Sequence, residues 1–176
     1  MLLTPGSALD LGCGAGGDAL WMAERGWRVT AVDISTTAVH RVAERARTMG
    51  LADRLTTMCL DLTRNFPSGS FDLVCAVYLH SPGASPRQRL LRAAAQAVLP
   101  GGRLLVVDHG SVAPWSWDQN PAASFPKPQE VAADLDLHPS TWIVERADTP
   151  TRRATGPGGQ DAEVIDHVLT LRRSST

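Results

Sequence analysis

No apolar run in this chain of 176 residues approaches the roughly 18 consecutive residues that a membrane-spanning helix needs. The opening stretch, MLLTPGSALDLG, has neither a basic segment nor a long apolar one and runs directly into a predicted strand, so it does not read as a signal peptide. Charge of one sign is also missing. With 17 basic and 18 acidic side chains the net charge is -1, which gives no electrostatic reason to expect a nucleic-acid or anionic-membrane partner. Cysteine is scarce: Cys13, Cys59 and Cys75 lie in or beside predicted buried strands, and no two share CxxC spacing. That pattern excludes a disulfide framework and a cysteine metal site, and it predicts reduced thiols in a cytoplasmic protein. Lysine is nearly absent, Lys127 standing alone, and the bias carries no functional reading; internal repeats are lacking too. What remains, 43% hydrophobic and 20% charged, is the composition of an ordinary soluble domain, and the length fits one.

Short apolar runs alternate with helical patterns for most of the length. Residues 8–11, 29–33, 55–60, 71–78 and 103–108 read as strands, rich in Val, Leu and Ile and bounded by Gly, Pro or Asp. A first helix is predicted from about Asp18, which is placed to cap it, to Glu24, with Gly26 as its stop. A second starts after Ser35 as N-cap and carries Val39, Val42 and Ala46 on one face. A third begins at Ser85 with Pro86 in its first turn, and Leu90, Leu91, Ala94 and Val98 form its apolar side. The LPGGR at 99–103 ends that helix and turns into the fifth strand. Such repetition implies right-handed crossovers and a parallel sheet covered on both faces. The tail departs from the pattern. A long loop, 110–128, holds four prolines and the aromatics Trp115, Trp117 and Phe125; a short helix at 130–135 follows. STWIVERA and EVIDHVLTLRR then read as two strands that pair antiparallel at the sheet edge, joined by the Gly/Arg-rich DTPTRRATGPGGQD.

The stretch ALDLGCGAGGDALWMAERGWRVTAVDIS, residues 8–35, is the most informative. Gly12, Gly14 and Gly17 satisfy a dinucleotide fingerprint, yet the same loop suits the amino-acid end of S-adenosylmethionine. Asp10 and Asp18 separate the two. A pyrophosphate at the helix N-terminus would meet two carboxylates that repel it, at greater cost in a partly buried cleft than in water. An ammonium and a sulfonium are favoured by the same carboxylates, and the loop N–H groups remain for the ligand's carboxylate. Asp33, some 20 residues beyond the glycines, stands where a ribose-binding acid belongs. Each acid also has a plainer reading: Asp10 a polar strand end, Asp18 a cap, Asp33 and Asp61 turn residues, Asp72 a strand start.

LDLGCGAGG followed by VDIS resembles the first motif and following acidic strand end of class I S-adenosylmethionine-dependent methyltransferases, well over residues 8 to about 108 and more loosely in the tail. The resemblance implies a Rossmann-like, doubly wound α/β fold: a mostly parallel seven-stranded sheet with a C-terminal antiparallel hairpin, in one domain over residues 1–176. It implies S-adenosyl-L-methionine as cofactor, held by Asp10, Gly12, Cys13, Gly14 and Gly16. Asp33 would bind the ribose hydroxyls, Ile34 pack on the adenine, and Asp61 and the Leu62 N–H meet the adenine edge, with Val77 beside the cofactor. FDLVCAVYLH and LPGGRLLVV match the fourth strand and the turn into the fifth. Within the family the compact form is similar to tellurite-resistance and thiopurine methyltransferases. Members usually carry a helical segment before the first strand that covers the cofactor. Only about six residues precede that strand here, so the expectation is either an N-terminally truncated chain or a minimal variant with an open pocket.

Methyl transfer is an in-line displacement at an activated carbon, so the protein's task is alignment and exclusion of water. In an open α/β sheet the ligand lies beyond the carboxyl ends of the strands, at the switch between the first and fourth. Tyr78, His80 and His109 are therefore the substrate-side candidates. The histidines suit a general base near neutral pH and equally suit hydrogen-bonded loop positions. His40, His138 and His167 read as structural or solvated. The Trp115/Trp117/Phe125 loop reads either as a wall of the acceptor site or as a flap over the sheet edge. A small-molecule acceptor is expected, without nucleic acid, membrane or metal. The alternatives are an S-adenosylmethionine-binding sensor or subunit without turnover, and a nicotinamide-dependent oxidoreductase.

Overall fold

A computed structural model describes residues 3–79, 87–116, 119–120 and 125–175. Five strands, β1 (Ser7–Leu11), β2 (Arg28–Asp33), β3 (Leu55–Cys59), β4 (Phe71–Val77) and β5 (Val98–His109), alternate with helices α1 (Gly17–Glu24), α2 (Thr36–Thr48) and α3 (Arg87–Gln96). Helix α4 (Pro128–Leu135) and strands β6 (Trp142–Asp148), β7 (Thr151–Thr155) and β8 (Asp161–Arg173) complete the described chain. The sheet runs β3-β2-β1-β4-β5-β8-β6, with β7 also paired to β8. The β1–β5 pairings are all parallel, and β8 is antiparallel to β5, β6 and β7. This is the expected doubly wound α/β sheet, reversing its direction of winding between β1 and β4.

Alternation along each strand feeds two cores. Leu9, Leu11, Val74, Ala76, Leu104 and Val106 face α3 and α4, packing on Leu91, Ala94, Val131 and Leu135. Ala8, Val29, Ala31, Leu73 and Cys75 face the other way, where α1 and α2 bring Leu20, Met22, Val42 and Ala46. A period of two in the strands and of three to four in the helices is what lets each element bury one face. Ser35 caps α2, its Oγ accepting from the Ala38 N–H at 3.3 Å. Helices α1 and α2 cover β1–β3. Beyond α1 on the same face, Leu73, Cys75, Val77 and Leu105 line a groove of about 910 Å³ together with Trp21 and Trp27.

Four local expectations change. The cap of α1 is Gly16, at φ +78°, with no side-chain cap; Asp18 lies exposed in the first turn. Val98 opens β5 rather than closing α3, and the register jumps from Phe71–Val98 to Leu73–Arg103, so LPGG bulges inside a strand instead of preceding it. The predicted start of α3 at Ser85 and Pro86 lies outside the described residues. The connector DTPTRRATGPGGQD contains an eighth strand, β7, whose polar side chains give no apolar period. The last pair is antiparallel as expected, but β8 inserts between β5 and β6 and leaves β6 at the edge. Among the described residues no helix is long and apolar enough to cross a membrane.

Candidate functional site

The carboxyl end of β1 runs into the glycine loop, and three left-handed glycines shape it: Gly12 at φ +73°, Gly14 at +49° and Gly16 at +78°. A Cβ on Gly12 would lie 2.5 Å from Leu79, and one on Gly16 2.5 Å from Val42. At Gly14 a Cβ would meet only the Gly12 carbonyl, at 4.0 Å, so that side of the loop is open to approach. Four loop amides are engaged within the protein. Gly12 and Cys13 donate to the Val32 carbonyl at 2.8 and 2.9 Å, and Gly16 to the Cys13 carbonyl at 2.7 Å. Gly14 donates to Asp33 Oδ2 at 2.8 Å. These four are spent on holding the loop, which corrects the expectation that the loop amides are generally available to a ligand's carboxylate.

Asp33, at the end of β2, also accepts from the Ser35 N–H through Oδ1 at 2.8 Å, so its carboxylate is fixed by amides on both sides. Ile34 beside it is 58% exposed, an aliphatic face presented to solvent at the mouth of the loop. Asp10 is 3% exposed. Burial, then Asp18 and Asp33, push its carboxyl up to about 7, against the lowering effect of a hydrogen bond from the Ala19 N–H. Cys13 and Cys75 are buried thiols: burial and the neighbouring acids push Cys13 up to about 12 and Cys75 well above its ordinary value. Cys59, expected beside a buried strand, is exposed, and all three cysteines are free. Asp61 forms a turn, its Oδ1 accepting from the Thr63 N–H and Oγ1 at 2.9 and 2.6 Å while Oδ2 faces Arg64 at 3.4 Å. The Thr63 hydrogen bonds hold its carboxyl below the usual range. Leu62 is half-buried against the α3-side core. Asp72 pins β1 to β4 by accepting from the Ser7 N–H and Oγ at 2.7 and 2.8 Å.

Across the switch point, Val77 lines the groove and Tyr78 and His109 stack, centroids 4.4 Å apart and planes 23° from parallel. Sequence reasoning paired neither side chain with Arg152 or Asp166. Arg152 Nη2 donates to the Tyr78 hydroxyl at 3.0 Å, and Arg152 Nε to Asp166 Oδ2 at 2.5 Å. The one available signal was the arginine pair in the connector. His80 and Trp117 lie outside the described residues. His40 is exposed, His138 meets Ser140, and buried His167 is 2.7 Å from the Pro126 carbonyl. Trp115 sits against Gly156, in the turn between β7 and β8. Among the described residues no group of three His, Cys, Asp or Glu side chains converges as a metal site would require.

Residues 8–102 match the family described as methyltransferase domain. The methyltransferase GfsG of Streptomyces halstedii is 33% identical over 104 residues, covering 57% of this chain and 36% of that protein. A probable chloroplastic tocopherol O-methyltransferase of Oryza sativa subsp. japonica is 30% identical over 107 residues, 58% of this chain and 29% of that protein. The chain thus spans about a third of the length of these curated relatives. In fold it superposes on TehB from Haemophilus influenzae with a TM-score of 0.73 at 17% identity, over 98% of this chain and 58% of that one.

Proposed function

The chain belongs to the methyltransferase domain family, class I and S-adenosylmethionine-dependent, and on that premise we propose that it methylates a small-molecule acceptor. One observation carries the proposal: the glycine loop is tied by its own amide to Asp33, beside an exposed Ile34, with Asp10 and Asp18 close enough to act electrostatically on one another. The donor set fits S-adenosylmethionine. Asp33, its orientation fixed by two amides, keeps lone pairs for the ribose hydroxyls, and adenine would cover Ile34. Asp61 and the Leu62 N–H would meet the adenine edge, and Asp10, Gly12, Cys13, Gly14 and Gly16 would form the floor under the amino-acid end, with Val77 beside it. A pyrophosphate would find those loop amides already engaged and acids beside it.

When bound, the cofactor supplies a methyl group activated by a sulfonium. Asp10, Asp18 and Asp33 favour the positive charge of the ammonium and sulfonium. The groove beside Val77, with Leu73, Cys75 and Leu105, offers an acceptor a nonpolar surface. Tyr78 and His109 stand at the ends of β4 and β5, where an acceptor would be aligned, and His109 suits taking a proton from an acceptor that needs to lose one. The near-neutral charge balance and the apolar groove support a small organic acceptor, and one relative is named as a probable tocopherol O-methyltransferase. We place the reaction in the cytoplasm, where free Cys13, Cys59 and Cys75 would stay reduced.

Calorimetric titration with S-adenosylmethionine, S-adenosylhomocysteine and NADH tests the proposal. We expect micromolar affinity for the first two, weakened about 100-fold in Asp33→Ala by loss of charge-assisted hydrogen bonds, and none for NADH. Acceptors to screen are thiols, halides, tellurite, phenols and RNA. Binding of NADH without binding of S-adenosylmethionine would overturn the proposal, and binding without turnover on every acceptor would favour a sensor or subunit.

A further inference from the structure

Tyr78 is the sole tyrosine of the chain. With Asp136 it is one of two non-glycine residues at positive φ among the described residues, at +49°. Asp136 is the C-cap of α4, where a left-handed residue is expected. No cap accounts for Tyr78. A side chain there is strained, and such strain persists only where the surroundings impose it, which happens mainly at working sites.

Three contacts impose it. The Tyr78 N–H donates to the Val107 carbonyl at 2.8 Å. The hydroxyl accepts from Arg152 Nη2 at 3.0 Å. The ring lies on His109. Arg152 in turn is held by Asp166, Nε to Oδ2 at 2.5 Å and Nη2 to Oδ1 at 3.4 Å. Asp166 is 6% exposed, so removing Arg152 would strand a buried carboxylate. The phenol answers to both: burial and a hydrogen bond to Asp166 push it above its ordinary pKa, and Arg152 draws it back. One guanidinium therefore bridges β7, β8 and the end of β4, a two-point grip that a planar fork provides and an ammonium does not.

We propose that Arg152 is a positioning residue: with Asp166 it clamps the Tyr78 hydroxyl and so fixes the Tyr78–His109 stack as the wall against which the methyl acceptor is aligned. The proposal rests on the methyl-transfer reading above. Because the hydroxyl is engaged and the cation is matched by Asp166, the wall offers ring faces rather than net charge, which suits a planar organic acceptor.

The test uses the full chain saturated with S-adenosyl-L-[methyl-13C]methionine and carrying ring-labelled tyrosine, so that one methyl and one aromatic ring are observed. The wild type is expected to give a cross-peak between the bound methyl and the Tyr78 ring. Arg152→Met loses it and shifts the ring resonances, with affinity for S-adenosylmethionine unchanged. Arg152→Lys, which keeps a cation and protects Asp166, gives a weakened cross-peak and stands in should Arg152→Met fail to fold. Arg153→Met, which removes the exposed partner of Asp161 on the same strand, leaves the spectrum as in the wild type. A wild type without the cross-peak, or a cross-peak undiminished in both Arg152 variants, overturns the clamp while cofactor binding stands. Absence of any bound methyl resonance sinks the methyl-transfer reading itself, and the clamp's role with it.

Discussion

The β1–β3 half and the β5–β8 half share one sheet but hold their functional groups in different ways. In the first, the backbone does most of the positioning: Gly12, Cys13, Gly14 and Gly16 are tied by their own amides to Val32, Asp33 and Cys13. In the second, long side chains do it, through Arg87 with Asp108, Arg103 and Arg172 with Glu145, and Arg152 with Asp166. Backbone geometry demands particular residues at fixed spacing, above all glycine where φ is positive. A salt bridge demands only that two charges meet, from wherever the fold brings them. The family match ends at residue 102, near the border between the two regimes.

Two glycine replacements sharpen the contrast most. Gly16→Ala combines a left-handed backbone with a Cβ 2.5 Å from Val42 and is expected to cost about 2–4 kcal/mol in chemical denaturation. Gly159, in the other half, has a similar φ of +79° with nothing within 4 Å. Gly159→Ala should cost only the backbone term, about 1 kcal/mol. Equal losses at the two sites would break the comparison.

Asp10 comes next. Its carboxyl is raised in the fold from 3.8 to about 7, so the folded chain holds a proton that the unfolded one releases. The sign follows: stability is greatest below about pH 4 on this group's account and is lost as pH rises to about 7, by an amount on the order of a few kcal/mol. Asp10→Asn should flatten that slope and raise the melting temperature at pH 8. Because a sulfonium compound favours the ionised acid, binding at pH 7 should release protons, measurable by calorimetry in buffers of different ionisation enthalpy.

The smallest effect belongs to the second half. Glu145 joins Arg103 and Arg172 at 2.6 and 2.9 Å, and these partners hold its carboxyl below the usual range. The bridges are partly exposed, so Glu145→Ala should cost no more than about 1 kcal/mol in a urea melt. The loss should vanish as pH falls below the ordinary glutamate range, where the carboxyl protonates in both states.

The same division explains what the sequence could reveal. Strands β1–β4 and helix α2 were legible because apolar period, Ser35 and the glycines are local signals. The position of Asp33 at the end of β2, against the loop, is legible because it follows from the glycines by counting. The cap of α1 is not legible: Asp18 has the residue type of a cap, whereas the left-handed Gly16 that starts the helix depends on its tertiary setting. β7 carried no apolar alternation, being a polar ladder against β8. Arg152 and Asp166 lie far from Tyr78 in the chain, and only the sheet topology brings them together. Val98 followed the helical pattern, yet pairing with Phe71 overrode it.

Because β8 slots between β5 and β6, two strands that both precede it, neither can complete its ladder until residues 161–173 emerge from the ribosome. The nascent chain can thus assemble its glycine loop early, while Asp166, borne on β8, reaches Tyr78 and Arg152 later. Order of synthesis thus sets the order of closure: β1–β4 with the glycine loop can form first, and the contact of Tyr78 with Arg152 and Asp166 only once β8 is made.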